Sequence, residues 1–161
     1  MLHPWANLPQ AITTGSAGWK QQFTDPIWQS LDVPENAPGE FFVASYSSRA
    51  QPGQQLDLIA PGHYALGTMT PDDLEFHAGT SHACPHVVGA AALLLEKNHR
   101  LTQGQIEAAL KSTAMPIPGG VSYPDPFLPT APWSTSASDQ GAGFLQVDRA
   151  LSLIPKGWNT N

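Results

Sequence analysis

Apolar positions in this chain come as several short runs and one long one. The short runs lie at residues 11–14, 41–44 and 56–60, each bounded by Gly, Pro or Ser, which predicts buried strands of about the usual length. The first is expected to stop at a Gly15-Ser16-Ala17-Gly18 turn, and the third at Pro61-Gly62. Residues 63–69 and 75–79 flank Pro71-Asp72-Asp73, a pattern that predicts a hairpin. The long run follows at once. From Ser81 through Ala90-Ala91-Ala92-Leu93-Leu94-Leu95 no polar face develops before Glu96, so the sequence predicts a helix buried on all sides, with Pro85 in its first turn.

Downstream, Thr102-Gln103-Gly104-Gln105 has the form of a capping box. Ile106, Ala109, Leu110 and Thr113 then recur at helical spacing, so a second, amphipathic helix is expected. Residues 115–132 form a proline-rich loop, 141–147 a last strand, and 148–153 a closing helical turn with Arg149 outside. Residues 19–40 carry Trp19, Phe23 and Trp28 among turn formers and read as a surface excursion with packing anchors. A tail from Pro155 is expected to fray. The alternation of short strands and helices gives an α/β class, a parallel sheet flanked by helices, in one domain without internal repeats.

Composition narrows the function. With 161 residues and 41% hydrophobic content, the chain is long enough to bury a core. Its net charge is −6, and its 7 Lys and Arg never cluster, which argues against a nucleic-acid face. One Cys precludes an internal disulfide. No run is long enough to span a membrane, and Met1-Leu2-His3-Pro4-Trp5 lacks the basic and apolar regions of a signal peptide.

The candidate chemistry lies at Gly79-Thr80-Ser81, where a tight turn presents a serine at the mouth of a helix. Unpaired N–H groups and the positive end of the helix dipole there favour a developing oxyanion. The whole stretch, Gly79, Thr80 and Ser81 followed by Pro85, His86, Val87 and Gly89, resembles the nucleophile motif of the subtilisin-like serine proteases. Asp57-Leu58-Ile59-Ala60-Pro61-Gly62 is similar to the strand and turn shortly before that motif. Further similar pieces follow the family's order: residues 11–16, Ala44-Ser45-Tyr46-Ser47-Ser48, and residues 141–148.

The resemblance implies that Ser81 is the nucleophile and that its backbone N–H is one oxyanion donor. It also implies a catalytic Asp, a catalytic His and an oxyanion Asn ahead of the serine. No motif for any of them occurs here, so residues 1–161 are expected to be the C-terminal part of a peptidase domain, inactive alone. The partners implied are a peptide or protein substrate and a complementary N-terminal protease part. The alternative is a non-catalytic module that binds such a chain. Calcium is implied by the resemblance alone, as is secretion of a full-length parent.

Other chemistries fit less well. His82 stands where the family has Met, but adjacent helical positions point apart, so it is poorly placed to take the Ser81 proton. His86 is expected to pack the helix, Gly89 to let the helix approach the sheet closely, and Cys84 to be a buried inert thiol. His82, Cys84 and His86 suggest zinc by spacing only, because Pro85 interrupts the helical start and no Glu follows His82. Ala83 takes the place of the second Gly in the α/β-hydrolase elbow. Asp72 and Asp73 are explained by an exposed turn.

Overall fold

The computed structural model describes Ala6 and residues 8–18, 22–25, 29–32, 41–50, 52–70, 73–118, 122–123, 133–134 and 136–157. Trp19, Trp28 and Asp72 lie outside them, as does most of the proline-rich loop.

The central sheet has the order β4-β1-β5. Strand β1 (Thr14–Gly18) runs parallel to β5 (Leu58–Pro61) and antiparallel to the short β4 (Phe42–Val43). Separate hairpins are formed by β2 (Gln22–Asp25) with β3 (Gln29–Asp32), by β6 (Ala65–Thr70) with β7 (Asp73–His77), and by β8 (Ser122–Tyr123) with β9 (Trp133–Ser134). Three α-helices lie among the described residues: α1 (Thr80–Lys97), α2 (Gln103–Thr113) and α3 (Val147–Leu153).

The small residues of β1, expected to be a turn, are strand. Ser16 and Ala17 are fully buried. A side chain on Gly15 would come within 2.8 Å of Ser47 Oγ and 3.0 Å of Ile59 Cγ2, so glycine here allows neighbouring chains to close on the strand. The strand expected at 141–147 is reduced to Phe144, which bridges Ile59 on one side and Met115 on the other. Gly141 (φ 57°) and Gly143 (φ 123°) cause this. Both occupy left-handed backbone that favours glycine, and a Cβ on either would meet a backbone carbonyl oxygen at 2.4 Å.

Alternation along β5 divides the core. Leu58 and Ala60 face Ala83, Val87, Ala90 and Leu94 of α1, with Ile106 and Leu110 of α2 and Ala150 of α3 in the same cluster. Ile59 points the other way, into a second cluster with Ala17, Val43, Leu56, Ile117 and Phe144. The described helices therefore pack into one cluster on one face of the sheet.

Two expectations for the helices meet different outcomes. The Thr102 capping box forms in full: Gln105 N–H donates to Thr102 Oγ1, and Thr102 N–H donates to Gln105 Oε1. Helix α1, by contrast, is buried on one face only. Val88 is 62% exposed, Leu93 44% and Leu95 38%, on a helix whose all-round apolar sequence suits a covered interior position. Composition predicted burial, but the described residues cover a single stripe.

Asp57, fully buried at the start of β5, fastens the sheet to α2. It accepts the Thr13 N–H (2.7 Å) and the Gln55 side-chain amide, and pairs with Lys111 Nζ at 2.7 Å. Burial pulls the Lys111 ammonium down, but hydrogen bonds and charge from Asp57 and Glu107 outweigh it and leave the pKa raised.

Candidate active site

Ser81 lies in the first turn of α1 and is exposed. Gly79 precedes the helix in extended backbone (φ 162°, ψ 155°) without a side-chain cap. Its carbonyl accepts His82 N–H at 3.0 Å and Ala83 N–H at 3.4 Å. By position, the N–H groups of Thr80 and Ser81 have no intrahelical acceptor, so they remain available to an anion.

The turn is fastened from below. Gly79 N–H donates to the Gly62 carbonyl at 2.7 Å, just beyond β5. Gly62 must be glycine, because a Cβ there would lie 2.6 Å from Ser16 Oγ, 2.7 Å from Gly79 O and 2.9 Å from Ala83 Cβ. The Pro61-Gly62 pair thus does more than end a strand. It is the floor on which the serine turn rests.

The other motif residues depart from expectation in part. Pro85 sits in the second turn of α1 rather than the first, so the Ser81 carbonyl loses its usual helical donor. His86 does not pack the helix: it is exposed, with Nδ1 2.8 Å from the His82 carbonyl, so Nδ1 carries the proton. Cys84 is exposed, not buried. Gly89 is exposed too, and a Cβ on it would meet nothing within 4 Å, so among the described residues close packing does not account for it. All three lie away from the buried stripe of α1, which is why a reading that buried the whole helix misplaced them.

His82 is half-buried and its ring stacks on His77 of β7, with centroids 4.8 Å apart and planes 10° off parallel. The stack joins the β6–β7 hairpin to the helix. Among the described residues, no hydrogen bond joins Ser81 Oγ to a histidine, and no group of three or more His, Cys, Asp or Glu could hold a metal ion.

Sequence reasoning missed Tyr46. Its hydroxyl donates to the same Gly62 carbonyl at 2.9 Å and lies 3.0 Å from Ser16 Oγ and 3.2 Å from His63 Nδ1. The only signal in the sequence was its place within Ala44-Ser45-Tyr46-Ser47-Ser48.

An exposed serine at the N-terminus of a helix that packs on parallel strands places the chain in the α/β class. The profile of the Subtilase family matches residues 9–148, and the chain belongs to that family of subtilisin-like serine proteases. It is 44% identical over 71 residues to subtilisin of Bacillus pumilus, covering 44% of this chain and 25% of that one. It is 35% identical over 114 residues to the subtilisin-like protease SBT2.3 of Arabidopsis thaliana, covering 59% of this chain and 13% of the relative.

Among solved structures, fervidolysin of Fervidobacterium pennivorans, a keratinolytic enzyme related to subtilisin, superposes with a TM-score of 0.64 at 25% identity. That match covers 93% of this chain and 20% of fervidolysin. The chain therefore spans a quarter or less of these relatives. No described helix is long and apolar enough to cross a membrane.

Proposed function

We propose that this chain carries the nucleophile and one oxyanion donor of a serine endopeptidase site, completed by a part that supplies Asp, His and Asn. The observation that supports this most is the exposed Ser81 hydroxyl beside the open N–H groups of the first turn of α1. Ser81 Oγ attacks the scissile carbonyl of a peptide or protein while the supplied His takes its proton. The Ser81 N–H and the supplied Asn hold the oxyanion. Collapse expels the amine, which receives the proton from His, and water then hydrolyses the acyl ester on Ser81.

The test mixes the chain with a subtilisin segment that bears the Asp, His and Asn motifs and adds a fluorophosphonate probe. Expected is a mass increment on the Ser81 peptide that Ser81→Ala abolishes. No increment in the completed mixture, or one retained by Ser81→Ala, refutes the reading.

A second reading, a non-catalytic module that binds a complementary chain, draws on the exposed apolar positions Val88, Leu93 and Leu95 of α1. Hydrogen exchange separates the two. Strong protection of α1 amides in the chain alone favours a self-sufficient module, and weak protection favours a part that needs completion.

A further inference from the structure

We propose that Tyr46 is a positioning residue for the serine turn, acting through the Gly62 carbonyl; this rests on Ser81 being the nucleophile. A carbonyl oxygen has two lone pairs, and at Gly62 one takes the Gly79 N–H and the other the Tyr46 hydroxyl. The residue that opens the serine turn and the Tyr46 ring, 33 positions upstream of Gly79 by number, thus share one acceptor.

The single hydroxyl proton of Tyr46 goes to Gly62, so its oxygen acts as acceptor toward Ser16 and His63. Ser16 Oγ donates at 3.0 Å from β1, and His63 donates through Nδ1–H at 3.2 Å. Tyr46 therefore ties β1, the end of β5 and the residue after Gly62 to one point. His63 cannot swing freely, because its ring lies edge-on to Phe42 (5.2 Å) and to Tyr64 (4.6 Å).

The segment being held is strained. Tyr64 has φ 49°, a left-handed conformation that costs a bulky residue energy and persists only when its surroundings enforce it. Gly62 and His63 N–H groups both donate to the Ala17 carbonyl, which holds this segment's backbone on β1. The Tyr46 hydroxyl adds the side-chain restraint, at the carbonyl on which Gly79 depends. A small shift of Gly62 O would move the N-terminus of α1 and the Ser81 hydroxyl with it, and nucleophile geometry is sensitive to such shifts.

The experiment compares the full chain with Tyr46→Phe and Ser16→Ala. Long-range 1H–15N spectra report the His63 tautomer, and amide exchange reports Gly79. In the completed mixture, fluorophosphonate kinetics report Ser81. In the unsubstituted chain, neutral His63 should carry its proton on Nδ1. In Tyr46→Phe the Nδ1–H population should fall, because the acceptor at 3.2 Å is gone.

Tyr46→Phe should also speed Gly79 exchange about three- to tenfold, the worth of one hydrogen bond, with Leu94 and Leu110 amides unchanged. Saturating phosphonylation should slow by a similar factor at unchanged half-saturation. Ser16→Ala keeps the Tyr46–Gly62 bond and should leave Gly79 exchange within about twofold. Unchanged Gly79 exchange in Tyr46→Phe, or an Nε2–H His63 in the unsubstituted chain, overturns the proposal. If the unsubstituted mixture is never labelled, the protease reading fails, and the tautomer and exchange data still decide whether Tyr46 holds the turn.

Discussion

Gly62 and Gly89 lie in or beside the serine motif, yet replacing each by Ala should move stability in opposite directions. At Gly62 the new methyl would sit 2.6 Å from Ser16 Oγ, 2.7 Å from Gly79 O and 2.9 Å from Ala83 Cβ, against ordinary contacts of 3.4–4 Å. None of the three can retreat easily. Ser16 is fully buried and bonded to Tyr46, Gly79 O is backbone that already accepts two N–H groups, and Ala83 is fully buried on the inner face of α1.

Overpacking of this kind costs about 1–3 kcal/mol, and displacing the Gly79–Gly62 hydrogen bond adds about 1 kcal/mol. The expected loss is therefore about 2–4 kcal/mol, a large share of the roughly 5–15 kcal/mol that holds a domain together. At a urea slope of about 2 kcal/mol/M the midpoint should fall by about 1–2 M. Gly89 faces open space inside a helix, where Ala is better than Gly by about 0.5–1 kcal/mol, so Gly89→Ala should raise the midpoint by about 0.2–0.5 M. Tryptophan-monitored urea unfolding with a shared slope measures both. A neutral Gly62→Ala, or a destabilising Gly89→Ala, would refute the packing argument. The same Gly89→Ala should weaken association with a complementary segment if that segment covers this face of α1.

Three further outcomes can be checked. The Lys111 pKa is raised in the folded chain, so its pairing stabilises fully below the unfolded value of about 10.4 and is lost as pH rises through the higher folded value. With its side chain 32% exposed the effect should stay below about 1 kcal/mol, and unfolding curves in Lys111→Met should show a smaller alkaline decline between pH 10 and 12. Thr102→Ala removes the side-chain half of the α2 capping box and should cost about 1 kcal/mol, read as a lower urea midpoint. Cys84, exposed on α1, should react with Ellman's reagent in the folded chain at the rate of an open thiol; protection until urea is added would contradict its placement.

Local patterns were legible because their causes are local. The Thr102 cap closes over three residues, the β6–β7 hairpin pairs segments that are neighbours in the chain, with Thr70 opposite Asp73, and Gly79-Thr80-Ser81 sets an exposed hydroxyl at a helix start from backbone geometry alone. The motif also carried the family, which the match over residues 9–148 bears out. The boundaries of β1 were not legible, because Gly15-Ser16-Ala17-Gly18 has the composition of a turn and becomes strand only when β5 and β4 pair with it.

By itself, then, the sequence determined the α/β class, the helix starts and the serine turn, all governed by spacing and intrinsic conformational preference within a few residues. Tertiary structure alone decided what supports that turn. Lys111 reaches Asp57 across 54 positions, and Tyr46 meets Gly62 across 16. It also decided that, among the described residues, α1 is buried along one stripe, since a helix apolar on every side states only that it can be covered, while the number of neighbouring layers decides how much of it is. Such contacts depend on which distant segments share an acceptor or a face, and no local pattern encodes that.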